Sequence, residues 1–472
     1  MKMFTMIFDT DSGKAMYHQL YEYIRNRITD GTIAGGEKLP SKRSLAAHLK
    51  ISTVTVENAY EQLAAEGYVF SVPKSGFYAE YGIASTNPVN VCMKTENINT
   101  RKNNNYIYDF GTSGVDTDCF PFSVWAKLMR SVISDESEKL LQVVDSKGAY
   151  ELREAIAEHL YNFRGIETSP ENIIVGAGTE YLTSLIMMLL GHDRCYAVEN
   201  PGYSRTHRLF ERSADRIVAI LQDENGLSVD ELRKSSAEIV HTTPSHNFPL
   251  GGIMPVNRRK ELLCWAGEDE NRYIIEDEYD SEFRFTGLPI PSLYSLDTKG
   301  KVIYINTFTK TLAPSMRISY MVLPQPLMKR FSDELAFCSN TVSLFEQITL
   351  ARFIKEGFFE RHISRIKKVY RTRRNLLISA LKENLPENSF EIEGEDSGLH
   401  FLMRVNCTVS EKELIDSAAD AGVHIHGLSE YYRSGKIYCG KPCILFGYTR
   451  LPDDMIINAV ECLTTAWKNL LV

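Results

Sequence analysis

The chain has 472 residues, 43% hydrophobic and 24% charged, which is enough length and apolar content for a large buried core and, on length alone, about three domain-sized units. Its net charge of −8 excludes bulk, sequence-independent nucleic-acid binding and leaves room only for a local footprint. The longest apolar run, "LTSLIMMLLG", is too short to cross a bilayer, "MKMFTMIFDTDSG" meets acids before any signal-like run, and nine cysteines lie dispersed, so the expectation is a cytoplasmic chain with reduced thiols and neither a membrane nor a metal partner.

The first 80 residues form one pattern. "YHQLYEYIRNRITDGTI" carries Tyr17, Leu20, Ile24 and Ile28 at helical spacing. After a break at "AGGEKLPS", Ser41 is an N-cap for the short helix "KRSLAAHLK", with Leu45, Ala46 and Leu49 as its apolar residues. Ser52 caps "TVTVENAYEQLAAEGY", which Gly67 ends, and "VFSVPKSGFYAE" reads as a hairpin with Lys74, Ser75 and Gly76 at its tip. Three helices and a hairpin over residues 1–80 predict a winged helix-turn-helix. Residues 81–105, rich in Asn, Thr and Ser, read as a linker.

From Tyr106 to the end, short apolar strands alternate with amphipathic helices: "NIIVGAG" before "TEYLTSLIMMLL", then "CYAVEN", "EIVHTTPS", "RYIIEDE" and "KVIYINTF". That order predicts an α/β domain over 106–472 with a mainly parallel sheet. "RFIKEGFFERHISRIKKVYRTRRNLLISALKENL" predicts a long helical stretch leading to a smaller α+β portion at about 385–472. The pair Cys439 and Cys443 has no His or Cys cluster beside it, so no zinc site is expected.

Ligands of open α/β sheets sit beyond the carboxyl ends of the strands. "NIIV" is followed there by Gly176, Ala177, Gly178 and Thr179, whose small residues let backbone N–H groups approach an anion at a helix start. "CYAV" ends near Tyr203, "EIV" in "HTTPSHNFP", "YIIE" in Asp277 and Tyr279, and "VIYI" in "NTFTK" with Lys310. Each feature alone is commonplace. Together they suit one ligand, pyridoxal 5′-phosphate: a lysine for the aldehyde, a carboxylate for the pyridine nitrogen, a phenol for the ring oxygen, an aromatic face for the ring and Arg317 for the phosphate. Periodicity does not choose among the carboxylates of "EDE".

The motifs "TPSHNFPLGGIMPVNRR", "RYIIEDEYDSEFRF" and "NTFTKTLAPSMRISYMVLP" resemble the MocR-type branch of the GntR regulators, in which a winged helix is fused to a fold-type I aminotransferase-like domain. The resemblance covers nearly the whole chain. It implies Lys310 as the Schiff-base lysine, Asp277 facing the pyridine nitrogen and Tyr279 bonding the ring hydroxyl. Tyr203 would stack on the ring; Gly178, Thr179, Thr307 and Arg317 would hold the phosphate, with His246 or Asn247 nearby. Arg205 matches an arginine of this branch and would anchor an effector carboxylate. The C-terminal position where an arginine is expected carries Glu430 instead, with Arg433, Lys441 and Arg450 as substitutes. Glu430 is then either a rim residue or a feature of a site tuned to a second amine.

"LPSKRSLAAHLKISTVTVENAYEQLAAEGYV" resembles the GntR winged helix, whose recognition helix enters the major groove. The residues this implies at double-stranded DNA are Ser41, Lys42 and Arg43 at a helix start, Thr53, Thr55 and Asn58 on the recognition helix, and Lys74 and Gly76 at the wing. Thr53 stands where many members have arginine, and Glu57 adds a negative charge nearby. Residues 1–80 hold nine basic and nine acidic side chains, so binding rests on a homodimer joining two modest half-site contacts. The expected function is a regulator that senses an amino compound by external aldimine formation at Lys310. An active aminotransferase, and a regulator whose effector is pyridoxal phosphate itself, are the alternatives.

Overall fold

The computed structural model describes residues 5, 6, 8, 9, 13–82, 106–112, 114–287, 290–433 and 440–471. The expected linker from residue 83 onward, and Cys439, lie outside them. The chain divides into two compact units, residues 1–103 and 104–472. Length alone suggests about three; there are two because one large sheet takes up most of the second unit.

In the first unit, α1 (Met16–Thr29), α2 (Lys42–Leu49) and α3 (Thr53–Ala65) precede a hairpin of β1 (Val69–Val72) and β2 (Gly76–Ala79). Ser41 Oγ accepts from Ser44 N at 3.2 Å and Ser52 Oγ from Thr55 N at 3.0 Å, two caps worth about 1 kcal/mol each. Leu20, Ile24, Ile28, Leu45, Val56, Tyr60 and Leu63 form the core. Tyr17 does not join it. Met16 and Tyr17 are both exposed because the first turn of α1 projects past the core, and Tyr21 is buried one turn later.

The second unit opens with β3 (Tyr108–Asp109), α4 (Phe122–Asp135) and α5 (Tyr150–Arg164). Its sheet is built from β4 (Ile173–Gly176), β5 (Cys195–Asn200), β6 (Arg216–Asp223), β7 (Gly226–Leu227), β8 (Ile239–Thr242), β9 (Tyr273–Glu278), β10 (Val302–Thr307) and β11 (Ser319–Val322). The order is β4-β11-β10-β9-β8-β5-β6-β7. The run β10-β9-β8-β5-β6 is parallel throughout; β11 is antiparallel to β10 and β4, and β7 to β6. The sheet is mainly parallel, as its strands predict.

Both faces are covered, which is why the strands read as continuous apolar runs. Ile275, Ile303 and Ile305 pack on one side with Leu182 and Ile186 of α6 (Thr179–Leu190) and with Phe210 of α7 (Ser204–Ser213). Ile274 and Val302 face Leu262 and Trp265 on the other. The long helical stretch is two helices, Leu344–Lys355 and Phe358–Asn384, broken at Gly357 with φ 70°. Beyond it lie β12 (Phe390–Glu393), β13 (His400–Val405), β14 (Val423–His424), β15 (His426–Gly427) and β16 (Cys443–Gly447). An antiparallel sheet runs β12-β13-β16-β15, while β14 pairs in parallel with β3, so residues 106–112 are laced into the C-terminal portion. Among the described residues no helix is long and apolar enough to cross a membrane.

Candidate functional site

A cavity of about 290 Å³ opens at the carboxyl ends of the parallel strands. Lys310, Asp277, Tyr279, Tyr203, Thr179, Thr307, Arg317 and Arg205 all line it, from stretches that are far apart in the chain. Convergence follows from the sheet: residues that end parallel strands share one edge, whatever their sequence separation.

Lys310 stands in the turn between the antiparallel pair β10 and β11, and its Nζ donates to Thr112 O at 3.0 Å. Burial holds its pKa down to about 8; Asp280 opposes that shift and Arg205 adds to it. An amine so placed is a far better nucleophile at neutral pH than a surface lysine.

The strand alternation of β9 resolves which acid of "EDE" faces the cavity. Ile274, Glu276 and Glu278 point to one side, and Ile275 and Asp277 to the other. Glu276 accepts from Leu293 N at 2.6 Å and Tyr294 N at 2.9 Å, capping a short helix, and burial followed by the Glu278 charge raises its pKa to about 7. Glu278 is paired with Arg164 at 3.0 Å. Asp277 is left for the cavity: its Oδ2 lies 3.3 Å from His241 Nε2, while its Oδ1 is buried without a hydrogen-bond partner among the described residues. A buried carboxylate oxygen left unmatched costs about 1–3 kcal/mol or more, and a ligand N–H placed there removes that cost.

The anion end is a helix start. Gly178 precedes α6 at φ 98° and ψ 165°, a region that glycine adopts, and a Cβ there would lie 2.5 Å from Arg317 Nη2. Arg317 itself is left-handed at φ 50°, at a cost of about 1–2 kcal/mol, and this turns its guanidinium onto Glu180 Oε2 at 2.6 Å. Thr307 Oγ1 donates to Thr309 Oγ1 at 2.7 Å and accepts from Ser319 Oγ at 2.8 Å. The free N–H groups at the start of α6, two threonine hydroxyls and a guanidinium suit a phosphate.

Several expected residues sit elsewhere. His246 and Asn247 are buried off the cavity wall: His246 lies behind Tyr279, and Asn247 Nδ2 donates to Glu199 Oε1 at 3.0 Å. Arg433 is paired with Glu211 at 2.6 Å, Lys441 with Glu391 at 3.5 Å and Arg450 with Asp109. Glu430 accepts from Gly427 N at 3.0 Å and contacts His426 Nδ1 at 3.0 Å, closing a turn rather than facing the cavity. Arg205, by contrast, has no hydrogen bond or ion pair among the described residues. Lining residues that the sequence did not single out include His241, Thr309, Thr112 and His400. His400 Nε2 donates to Pro249 O at 2.9 Å, and burial, then His246, lowers its pKa to about 3. His241 was legible only through register, since β8 lies beside β9 and His241 pairs with Ile275 two residues before Asp277.

In the first unit, Arg43, Thr53 and Asn58 are exposed, with Val54 beside them 60% exposed. Lys42 Nζ lies 2.6 Å from Glu57 Oε1, so the negative charge near the recognition helix is paired with the lysine at the start of α2. Ser41 and Ser52 spend their oxygens as caps, and Thr55 Oγ1 lies 2.8 Å from Ser52 Oγ. Lys74 is exposed at the hairpin tip with φ 63°, next to Ser75 and to Gly76 at φ 121°.

Comparison with known proteins agrees with both halves. Residues 16–79 match the "Bacterial regulatory proteins, gntR family", and residues 108–440 match "Aminotransferase class I and II". The chain is 40% identical over 453 residues to the "Uncharacterized HTH-type transcriptional regulator YdeL" of Bacillus subtilis (strain 168), covering 96% of this chain and 97% of the relative. It is 30% identical over 480 residues to the "Probable rhizopine catabolism regulatory protein MocR" of Rhizobium meliloti, covering 98% and 96%. The second unit is similar to the kynurenine aminotransferase structure of Pyrococcus horikoshii, with TM-score 0.67, 25% identity, and 77% of this chain and 91% of that chain covered. With a GntR-type helix-turn-helix and an aminotransferase class I and II domain in one polypeptide, the chain belongs to the MocR-type branch of the GntR family of transcriptional regulators.

Proposed function

We propose that this regulator binds pyridoxal 5′-phosphate in the cavity and senses a compound that carries a primary amine and one acidic group. The observation that carries this reading is the meeting, in one cavity, of the Lys310 amine with Asp277 Oδ1 and Arg205, neither of which has a partner among the described residues. When bound, pyridoxal phosphate supplies an aldehyde that condenses with amines and a ring that accepts negative charge. Asp277 would meet the ring nitrogen, Tyr279 the ring hydroxyl and Tyr203 the ring face; Thr179, Thr307 and Arg317, with Gly178 keeping the approach open, would hold the phosphate. Arg205 would take the effector's carboxylate.

One acidic group, rather than two, is supported by the engagement of the other cations. Arg433, Lys441 and Arg450 each already meet a carboxylate. The output is proposed to start at Lys310, whose amine holds Thr112 O. Thr112 lies in a stretch that is laced to the C-terminal portion by Phe110 N to His424 O at 2.9 Å, Gly447 N to Phe110 O at 2.8 Å and Thr449 Oγ1 to Gly114 O at 2.8 Å. A change in the state of that amine would be passed to the backbone around Thr112. Two copies pairing as a homodimer in the cytoplasm would join two half-sites, which a first domain with balanced charge needs for tight binding.

The test is a titration of the purified protein with a panel of amines and amino acids, followed by its visible band and, in parallel, by its affinity for operator DNA. A compound that shifts the band is expected to change DNA affinity, and Arg205→Gln to lose both responses. If a saturating, band-shifting compound leaves affinity and footprint unchanged, the sensing reading fails. The presence of Lys310, Asp277 and Tyr279 together favours aminotransferase activity as the second reading; many turnovers of amino donor with keto acceptor, instead of about one equivalent, would establish it.

A further inference from the structure

Behind Tyr279 lie two buried groups with no task so far. His246 and Asp280 are 3% and 2% exposed. Both polar contacts of the imidazole at Nδ1 fall on that one atom: Asp280 Oδ2 is 2.7 Å away and Tyr279 Oη 2.9 Å away. An imidazole nitrogen holds either a hydrogen or an available lone pair, not both. A carboxylate offers only acceptors, so the hydrogen resides on Nδ1 and points at Asp280.

Tyr279 therefore cannot donate to Nδ1. It meets that atom only as an acceptor, and its own O–H is left for the cavity that it lines. Burial, and after it the charge of Asp280, keep the phenol well above its ordinary pKa, so the hydrogen is there to be given. The ring of His246 is locked in place. At Gly398, with φ 75°, a Cβ would lie 1.8 Å from His246 Cε1, and the His400 ring stands 4.8 Å away on a tilted plane. His246 Nε2 is buried without a partner among the described residues, so no second contact competes for the ring's orientation.

We propose that Asp280 and His246 are positioning residues for Tyr279: Asp280 fixes the hydrogen on His246 Nδ1, and that hydrogen denies Tyr279 an internal acceptor, so that its O–H is presented to the ring oxygen of bound pyridoxal phosphate. Only the last clause rests on the cofactor reading; the placement of the hydrogen is a property of the chain.

Two measurements separate the parts. In protein stripped of cofactor and labelled with ¹⁵N-histidine, with His246 assigned by loss of its signals in His246→Gln, Nδ1 is expected to carry hydrogen; an unprotonated Nδ1 overturns the proposal whatever the cofactor does. In protein loaded with pyridoxal phosphate, the pH midpoint of the visible band is compared across variants. Asp280→Ala is expected to move it in the same direction as Tyr279→Phe, by about one pH unit for one hydrogen bond. Asp280→Asn, which removes the charge but keeps an acceptor for Nδ1–H, is expected to shift it clearly less than Asp280→Ala. Tyr279→Phe combined with Asp280→Ala is expected to shift no further than Tyr279→Phe alone. If Asp280→Asn shifts as far as Asp280→Ala, and the shift adds to that of Tyr279→Phe, Asp280 acts through its charge and the proposal fails. A wild-type protein with no visible band at all would sink the cofactor reading, while the ¹⁵N result still decides where the hydrogen sits.

Discussion

Lys310 gives the most direct test of the cavity's chemistry, and pH is the perturbation. Burial places its amine at about 8, against 10.5 for an ordinary lysine. At a pH of about 7.4 that leaves roughly one fifth of the amine as free base, compared with about one in a thousand for a surface lysine, a gain of roughly 200-fold. The free base is the reactive form. The rate of capture of pyridoxal phosphate should therefore fall about tenfold per unit as pH drops below 8, and level off above it. Stopped-flow formation of the band near roughly 410–430 nm measures this, with Lys310→Arg as the blank and a free alkylamine as the control for ionisation of the cofactor. Borohydride reduction and peptide mapping then identify the modified residue. Arg205→Gln removes a neighbouring positive charge and should move the break upward in pH. A rate that keeps climbing tenfold per unit past about 10 would mean an amine in ordinary solvent contact, and the desolvation argument would be wrong.

Other outcomes follow from single contacts. Arg317→Ala should weaken cofactor binding about 10- to 100-fold through loss of a charge-assisted phosphate contact, whereas Glu180→Gln should strengthen it several-fold, at about 3- to 10-fold, because the carboxylate that competes for Arg317 is gone; equilibrium dialysis reads both. Gly398→Ala puts a methyl group into the His246 ring at a positive φ, so a loss of about 2–4 kcal/mol is expected in denaturant unfolding. Lys74→Ala should weaken DNA binding evenly across sequences and lower the salt slope by about 0.9, while Asn58→Ala should cost about 1–3 kcal/mol on the cognate operator and little on random DNA. Fluorescence anisotropy at several salt concentrations distinguishes the two.

Much of this molecule is local in origin and so was legible from residue order. Helix starts at Ser41 and Ser52 need only a side chain three residues from a backbone N–H, and the apolar runs of β4, β5, β8, β9 and β10 need only a sheet covered on both faces. Lys310, Tyr279 and Tyr203 could be named because each follows a strand, and parallel strands end on one edge; Asp277, the last but one residue of β9, was singled out from "EDE" only by the family resemblance. Contacts between strands and charges were decided by the tertiary structure alone. Strand register brought His241 to Asp277; packing turned His246 away from the cavity wall and onto Asp280; ion pairs with Glu211 and Asp109 withdrew Arg433 and Arg450 from the effector's side. The physical reason is one of range. A cap, a turn or a period is set within a few residues, whereas the partner that engages a charge comes from a segment hundreds of residues away, as Glu211 does for Arg433 and Asp109 for Arg450, and is chosen by how the whole sheet closes; the same closure gives Asp277 Oδ1 and Arg205 no partner among the described residues.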